Sequence, residues 1–255
     1  MSNWIFLRGL TRESRHWGEF PRTFRAAVPD ASVVTLDLPG NGALCALRSP
    51  LSVDALAQHC RTELLRRGVA PPYSVLALSL GAMVAVAWAA RHPGDFRRCV
   101  LINTSLRPFA PFYRRLRPAN YAALLKVALT AGAAPAREKT ILRLTSRALH
   151  AACEPGTSVL AEWIAYHREH PVSRTNALCQ LLAAARYRAP AEKPDVPMLV
   201  LASALDRLVD PRCSRALARA WNAAYAEHPT AGHDLPLDDG AWVAGQVRDW
   251  LKSSG

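Results

Sequence analysis

Ser79 lies where an apolar strand pattern changes at once into a helical pattern. A serine forced into such a tight turn projects its hydroxyl clear of the sheet, beside the positive end of the following helix. The chain doubles back at this turn, so small residues must stand two positions before and two after the serine, and Ala77 and Gly81 meet that requirement. The segment predicts a nucleophile that attacks a carbonyl carbon. The alternative is a serine that only caps a helix.

A serine nucleophile needs a base, and His233 is placed to supply one. It stands in Ala231-Gly232-His233-Asp234, a loop after the last predicted strand and before the last predicted helix. A loop at that position can reach over the carboxyl edge of a sheet toward Ser79. His228, at the strand end itself, is the second choice.

The base needs a carboxylate to orient it. Asp206 follows the predicted strand 197–203, and Asp210 is the competitor. Because Asp210 precedes Pro211 and a predicted helix, it is better suited to cap that helix. We therefore predict Asp206 as the acid, which gives the chain order serine, aspartate, histidine.

These side chains require a scaffold that brings strand ends together. Apolar, β-branched runs predict strands at 3–8, 32–36, 73–78, 98–103, 197–203 and, more weakly, 224–227. Helical patterns with end signals lie at about 52–67, 80–92, 212–222 and 242–251. Strands that are apolar throughout and alternate with helices predict a mostly parallel sheet covered by helices on both faces, which is an α/β fold.

The alternation stops between 106 and 191. Ala-, Leu- and Arg-rich helical patterns replace it there, without a convincing strand. We predict one domain, with an α/β core formed by 1–105 and 192–255 and an inserted helical cap at 106–191.

Composition narrows the class of protein. Half of the 255 residues are hydrophobic and 20% are charged, which allows a sizeable core. No apolar run is long enough to span a bilayer, and the first residues do not resemble a signal peptide. The six cysteines are scattered singly, which indicates reduced thiols, no structural zinc and a cytoplasmic protein.

The net charge of +12 is concentrated in one segment. Residues 107–190 hold thirteen basic and four acidic residues, a net +9, whereas the other 171 residues hold +3. The net charge raises nucleic acid as a partner, but a nucleic-acid function would rest on the charge alone and is unlikely, so we favour an acidic partner at the cap. Because 139, 143 and 147 recur every four residues, we expect Lys139, Arg143 and Arg147 along one helix face. The alternative is a solvated basic surface.

The motifs together resemble the α/β-hydrolase superfamily, and within it the small capped carboxylesterases that cleave pimeloyl-acyl-carrier-protein methyl esters in biotin synthesis. Leu7-Arg8-Gly9-Leu10 through His16-Trp17 is similar to the family's "HG…W" oxyanion loop. Residues 37–42 resemble the family's "DLPGHG" loop, and residues 78–81 resemble its "WSLGG" elbow. Residues 205–209 resemble its "DGLV" acid loop, and residues 232–233 resemble its histidine loop.

The resemblance also implies roles for residues around the nucleophile and shows where this chain departs from the family pattern. The backbone N–H groups of Leu10 and Leu80 are expected to bind the oxyanion, and Trp17 to lie near substrate. Arg8 replaces the family's histidine before the oxyanion glycine, and it either brings charge near the acyl carbonyl or anchors the loop. Ala77 replaces the first elbow glycine. The two antiparallel strands that usually begin the fold are expected to be missing.

The sequence therefore predicts a serine carboxylesterase that forms an acyl-enzyme and requires no metal or organic cofactor. Its ester would be small or linked to an acidic acyl carrier protein, which would dock at Arg143 and Arg147. The alternatives are an acyl thioesterase with the same machinery and an inactive binding protein of the same fold.

Overall fold

Six strands form one parallel sheet in the order β2-β1-β3-β4-β5-β6. The computed structural model describes residues 2–124, 134–147 and 158–253. The strands are β1 Ser2–Leu7, β2 Ala31–Leu36, β3 Tyr73–Leu78, β4 Phe96–Ile102, β5 Met198–Ser203 and β6 Ala224–His228. Because all six run the same way, the loops that follow them meet at one edge.

Helices cover both faces of the sheet, as expected of a parallel sheet. They are α1 Phe20–Ala27, α2 Val53–Arg66, α3 Leu80–Arg91, α4 Phe112–Arg115, α5 Ala134–Thr145, α6 Ser158–Glu169, α7 Arg174–Arg186, α8 Arg212–Ala220, α9 Leu235–Asp238 and α10 Gly240–Ser253. Helices α2, α3 and α8 share a buried cluster on one face, and α1 and α10 share a cluster on the other. None of the described helices is long and apolar enough to cross a membrane.

The predicted α/β fold, a parallel sheet with helices on both faces, is confirmed, and every strand and helix predicted outside the cap lies within two residues of its observed bounds. Helix α1 was missed. Its signals were Pro21 in the first turn and the pair Phe20 and Phe24, which are four residues apart and both buried on the sheet.

Helices α4 to α7 occupy the described part of the predicted cap, and α7 ties them to the core. The Gln180 side chain accepts a hydrogen bond from Thr11 N–H (2.9 Å) and donates one to Asn41 Oδ1 (2.8 Å). Gln180 is fully buried, so these bonds are shielded from water. The cap boundaries at 106 and 191 remain a prediction. Lys126, one of the thirteen basic residues counted at 107–190, and Cys153, one of the six cysteines, lie outside the described residues.

The first turn of α3 presses against the end of β1. A Cβ added at Gly81 would lie 2.4 Å from the Leu7 carbonyl oxygen and 2.7 Å from that of Arg8. These are backbone atoms in a buried strand end, which cannot move aside without disturbing the sheet. Ala77, the other small elbow residue, is fully buried within β3. Only the second small position therefore requires glycine.

We predict that Gly81→Ala lowers the free energy of unfolding by about 1–3 kcal/mol, since its methyl group overpacks the contact with Leu7. Denaturant titration measures the change. Gly94→Ala is the matched control because a Cβ there meets nothing within 4 Å, and it should stay within about 0.5 kcal/mol of the parent. Equal stability of the two variants would contradict the packing argument.

Candidate active site

Ser79 occupies a strained turn between β3 and α3. Its backbone has φ 56° and ψ −115°, in the region that residues with a side chain rarely adopt. The strain is held from both sides: Ser79 N–H donates to the Ile102 carbonyl (2.9 Å), and the Thr104 hydroxyl donates to the Ser79 carbonyl (3.3 Å). Strain that the surroundings maintain is typical of functional positions. The predicted strand–serine–helix turn is present.

His233 and Asp206 form a buried pair. His233 Nδ1 lies 2.7 Å from Asp206 Oδ2, and the two residues are 5% and 2% exposed. The second carboxylate oxygen accepts hydrogen bonds from Leu208 N–H (2.7 Å) and Val209 N–H (2.9 Å). Because the carboxylate accepts at Nδ1, the ring carries its proton there and Nε2 is left as a base.

The surroundings of His233 determine its protonation. Burial by itself lowers the pKa of His233, but the charge and hydrogen bond of Asp206, helped by Asp234, raise it above the ordinary value for histidine, while Arg8 opposes them. The pKa of His233 is raised overall because the Asp206 carboxylate, 2.7 Å away, stabilises the imidazolium directly.

The two competing residues have other partners. Asp210 accepts hydrogen bonds from the Arg212 backbone N–H (3.0 Å) and from the Arg212 guanidinium, which lowers the pKa of Asp210. Its carboxylate thus binds the first backbone N–H of α8, whose N-cap residue is Pro211, which agrees with a role at the start of that helix. His228 faces Asp239 (3.2 Å) and packs on Trp242. Neither forms a hydrogen bond or an ion pair with His233.

Asn103 holds the histidine loop, and the sequence reading missed it. Its side-chain amide donates to the His233 carbonyl (2.8 Å) and the Gly232 carbonyl (3.2 Å), and its oxygen accepts from Ser203 N–H (2.8 Å). The available signals were an asparagine at a strand end on the same sheet edge and the tolerance of asparagine for positive φ, which is 45° here.

Arg8 anchors two loops to each other. Its guanidinium makes two hydrogen bonds to the Asp234 carboxylate (3.0 and 2.5 Å) and lies over the Trp17 ring, 4.8 Å from the centroid. Arg8 is 2% exposed, and its charge is matched by Asp234. Of the two roles open for Arg8, the contacts favour anchoring of the oxyanion loop to the histidine loop.

Trp17 is not where we expected it. It is 3% exposed and packs on Phe6 and Phe20 in the core between the sheet and α1, outside the cavity described next. Burial of its large apolar ring against Phe6 and Phe20 stabilises that position. The prediction that Trp17 touches substrate is wrong.

A cavity of about 240 Å³ brings Ser79 and His233 together. Its polar side comes from the loop after β1 and from the histidine loop, including Arg8 and Asp234. The opposite wall is apolar and comes largely from the cap region: Leu124, Ile141, Leu144, Ala177, Leu178, Leu181 and Leu208. A cavity of this kind suits an apolar chain joined to a polar reacting group.

The backbone N–H groups of Leu10 and Leu80, the two expected oxyanion donors, lie beside Ser79. Leu10 lines the cavity, and its N–H has no hydrogen-bond partner among the described residues. Leu80 begins α3, so its N–H has no carbonyl of its own helix to bond. A Cβ added at Gly9 would lie 3.2 Å from Ser79 Cβ, so the loop that carries Leu10 passes directly beside the serine.

The predicted basic row is broken. Arg143 is exposed on α5, but α5 ends at Thr145, so Arg147 does not share a helix face with it. Arg147 N–H donates instead to Asp238 (2.8 Å), beside Gly232 of the histidine loop. The prediction of three residues along one face is wrong at Arg147. Among the described residues, no three histidine, cysteine or acidic side chains are grouped to hold a metal ion.

Comparisons with known proteins agree with this architecture. Residues 4–246 match the model of the alpha/beta hydrolase family. The enol-lactonase from Burkholderia xenovorans LB400 superposes with a TM-score of 0.80 at 22% identity, over 98% of this chain and 91% of the other. An esterase from Thermogutta terrifontis superposes with a TM-score of 0.74 at 19% identity, over 99% and 90%.

One curated relative is similar over a limited stretch. The pimeloyl-[acyl-carrier protein] methyl ester esterase of Chromobacterium violaceum is 37% identical over 92 residues. These are 36% of this chain and 34% of the relative, so the match spans about a third of the relative's length.

We predict that His233 titrates above the ordinary histidine pKa of about 6.5, because Asp206 stabilises its imidazolium. NMR titration of the ring measures this. Asp206→Asn should lower the pKa of His233, whereas Asp210→Asn, which removes a carboxylate bound to Arg212, should leave it unchanged. The reverse order would overturn the pairing.

Proposed function

Because the chain belongs to the alpha/beta hydrolase family, we propose that it is a serine carboxylesterase that uses Ser79, His233 and Asp206 as a catalytic triad. One observation carries the proposal. A histidine whose Nδ1 is held 2.7 Å from a buried carboxylate shares a cavity with a serine in a strained strand-to-helix turn. A nucleophile, a base and an orienting acid in that order are the parts that acyl transfer requires.

Acyl transfer then proceeds in two balanced steps. Ser79 Oγ attacks the ester carbonyl while His233 Nε2 takes the hydroxyl proton, and the imidazolium returns that proton to the departing alcohol. Water attacks the acyl-enzyme with the same base, which releases the acid and restores the serine. The backbone N–H groups of Leu10 and Leu80 stabilise the oxyanion, and one such donor contributes about 2.7–4 kcal/mol in another hydrolase.

The acyl group enters by the apolar wall of the cavity. The curated relative is named for an ester carried on an acyl carrier protein. An acidic carrier suits the basic cap, where Arg143 is exposed on α5. The proposed substrate is therefore an acyl ester, linked to a carrier protein, that reaches Ser79 through the cap. We place the reaction in the cytoplasm, since the described cysteines are free and mostly buried.

We predict that Ser79→Ala reduces hydrolysis of short p-nitrophenyl esters to the background rate, because the variant lacks the attacking oxygen. It should keep the parent's circular dichroism and melting temperature. A fluorophosphonate probe should label the parent and the control Ser253→Ala, whose serine is exposed in the last helix, but not Ser79→Ala. Labelling of Ser79→Ala would exclude this serine as the nucleophile. Matched oxygen esters and thioesters then separate an esterase from a thioesterase.

We predict that Arg143→Glu raises KM for a carrier-linked ester several-fold and leaves a small soluble ester unchanged, because only the carrier meets the cap surface. The parent's KM for the carrier-linked ester should also rise with salt concentration. Arg25→Glu reverses an exposed charge on α1 of the core and is the matched control, with no effect expected on either substrate. Equal responses of both substrates to Arg143→Glu would refute docking.

A further inference from the structure

Two arginines that line the cavity share one carboxylate. Arg12 Nη1 lies 2.6 Å from Glu138 Oε2, and Arg137 Nε lies 3.9 Å from Glu138 Oε1. His167 Nδ1 is 3.6 Å from that second oxygen. Glu138 is 2% exposed and faces away from bulk water. The single negative charge of Glu138 therefore compensates two positive charges, those of Arg12 and Arg137, beside the cavity.

The neighbouring ionisable groups do not remove the excess. Burial lowers the pKa of His16 and of His167, and nearby arginines lower both further, so both rings are neutral at pH 7. The other buried carboxylate here, Glu13, is paired with Arg15. Glu169, the second partner of Arg15, is 63% exposed, so water screens its charge.

Both arginines also keep unused donors. Arg12 Nη2 and Arg137 Nε are buried and have no hydrogen-bond partner among the described residues. Burial lowers the pKa of the Arg137 guanidinium, Glu138 opposes this, and the charge of Arg12 lowers the pKa further. Arg8 Nε likewise has no hydrogen-bond partner among the described residues, but the charge of Arg8 is matched one to one by Asp234 through two hydrogen bonds. An incompletely paired, partly buried guanidinium is a strong site for a carboxylate.

Arg137 stands at one end of the apolar wall. Arg137, Ile141 and Leu144 recur at intervals of four and three on α5 and line the same cavity, so they share one helix face. Ser79 and His233 line the polar side of that cavity. A ligand chain lying along Ile141 and Leu144 would extend from the reacting ester to the guanidinium.

We infer that the enzyme selects esters whose apolar chain ends in a free carboxylate, and that Arg137, supported by Arg12, binds that carboxylate. The inference rests on the proposed esterase activity. It replaces the carrier-linked ester proposed above with a different substrate class, because a chain end that is joined to a carrier is not a free carboxylate. The carboxylate belongs either to the acyl part, as in a monoester of a dicarboxylic acid, or to the alcohol part, as in an ester of a hydroxy acid.

The test compares matched esters. Monomethyl esters of short dicarboxylic acids are paired with methyl esters of monocarboxylic acids of equal length. A second arm pairs butyrate esters of hydroxy acids with butyrate esters of alkanols. We expect the parent to prefer the acidic member of one arm by about tenfold or more in kcat/KM, mainly through KM. The arm that shows the preference identifies the part that carries the carboxylate.

Variants assign the preference to Arg137. Arg137→Gln should abolish the preference, because the acidic ester loses far more in kcat/KM than the neutral ester does, and Arg137→Lys, which keeps the charge, should retain part of it. Arg168→Gln removes an exposed cap charge on α6 and should retain the whole preference. A parent that treats both members alike, or an Arg137→Gln variant that loses both activities equally with an unchanged melting temperature, would overturn the inference.

Binding to Ser79→Ala separates this inference from the proposed function. Calorimetry with the unreacted monoester should show binding that Arg137→Gln weakens in the same background. If no ester is hydrolysed but this binding depends on Arg137, the esterase proposal fails and the carboxylate site stands. If esters are hydrolysed through Ser79 but binding of the monoester does not depend on Arg137, the proposed carboxylate site is wrong and the proposed esterase activity is supported.

Discussion

The site depends on a contact in which two stretches of backbone touch with no room for a side chain. Gly81, in the first turn of α3, lies against the carbonyls of Leu7 and Arg8, and Gly9 lies against Ser79. This contact fixes the distance between the loop after β1 and the serine turn, and so between the serine and the two proposed oxyanion donors. Hydrogen bonds could not hold that spacing alone, since each contributes only about 1 kcal/mol net. Close packing of backbone against backbone leaves no alternative arrangement of similar energy.

The histidine loop is positioned by polar groups instead. Asn103 binds two of its carbonyls, Asp206 binds the His233 ring, and the Arg8–Asp234 pair fixes the residue after the histidine. A buried ion pair adds little stability, because desolvation offsets most of its attraction. What it does supply is direction, since a bidentate guanidinium accepts a carboxylate in one geometry. The structure therefore uses packing to place the proposed nucleophile and directional bonds to place the proposed base.

That division explains what could be predicted from the sequence. Strands, helices and the serine turn follow from apolar periodicity and from small residues at fixed offsets, which are local signals. The order of serine, aspartate and histidine follows from strand ends meeting at one edge. By contrast, Asn103 and the partner of Arg8 depend on contacts across more than a hundred positions. The predictions for Trp17 and Arg147 failed for a related reason. Residue spacing does not show that Trp17 is buried on a face of the sheet, and it does not show where a helix ends within an Arg-rich stretch.

The charge at Arg137 has a kinetic meaning that follows from its place. A carboxylate bound there would be separated from the reacting ester by the chain that lies along Ile141 and Leu144, so we expect the contact to have the same strength in the ground state and in the transition state. Such uniform binding lowers KM and leaves kcat unaltered, whereas the proposed oxyanion donors would act mainly in the transition state and raise kcat. The two sets of groups are thus separable by kinetics. Burial beside the apolar wall, with Glu138 already shared with Arg12, makes the guanidinium discriminating, because a neutral chain end would leave its donors unpaired.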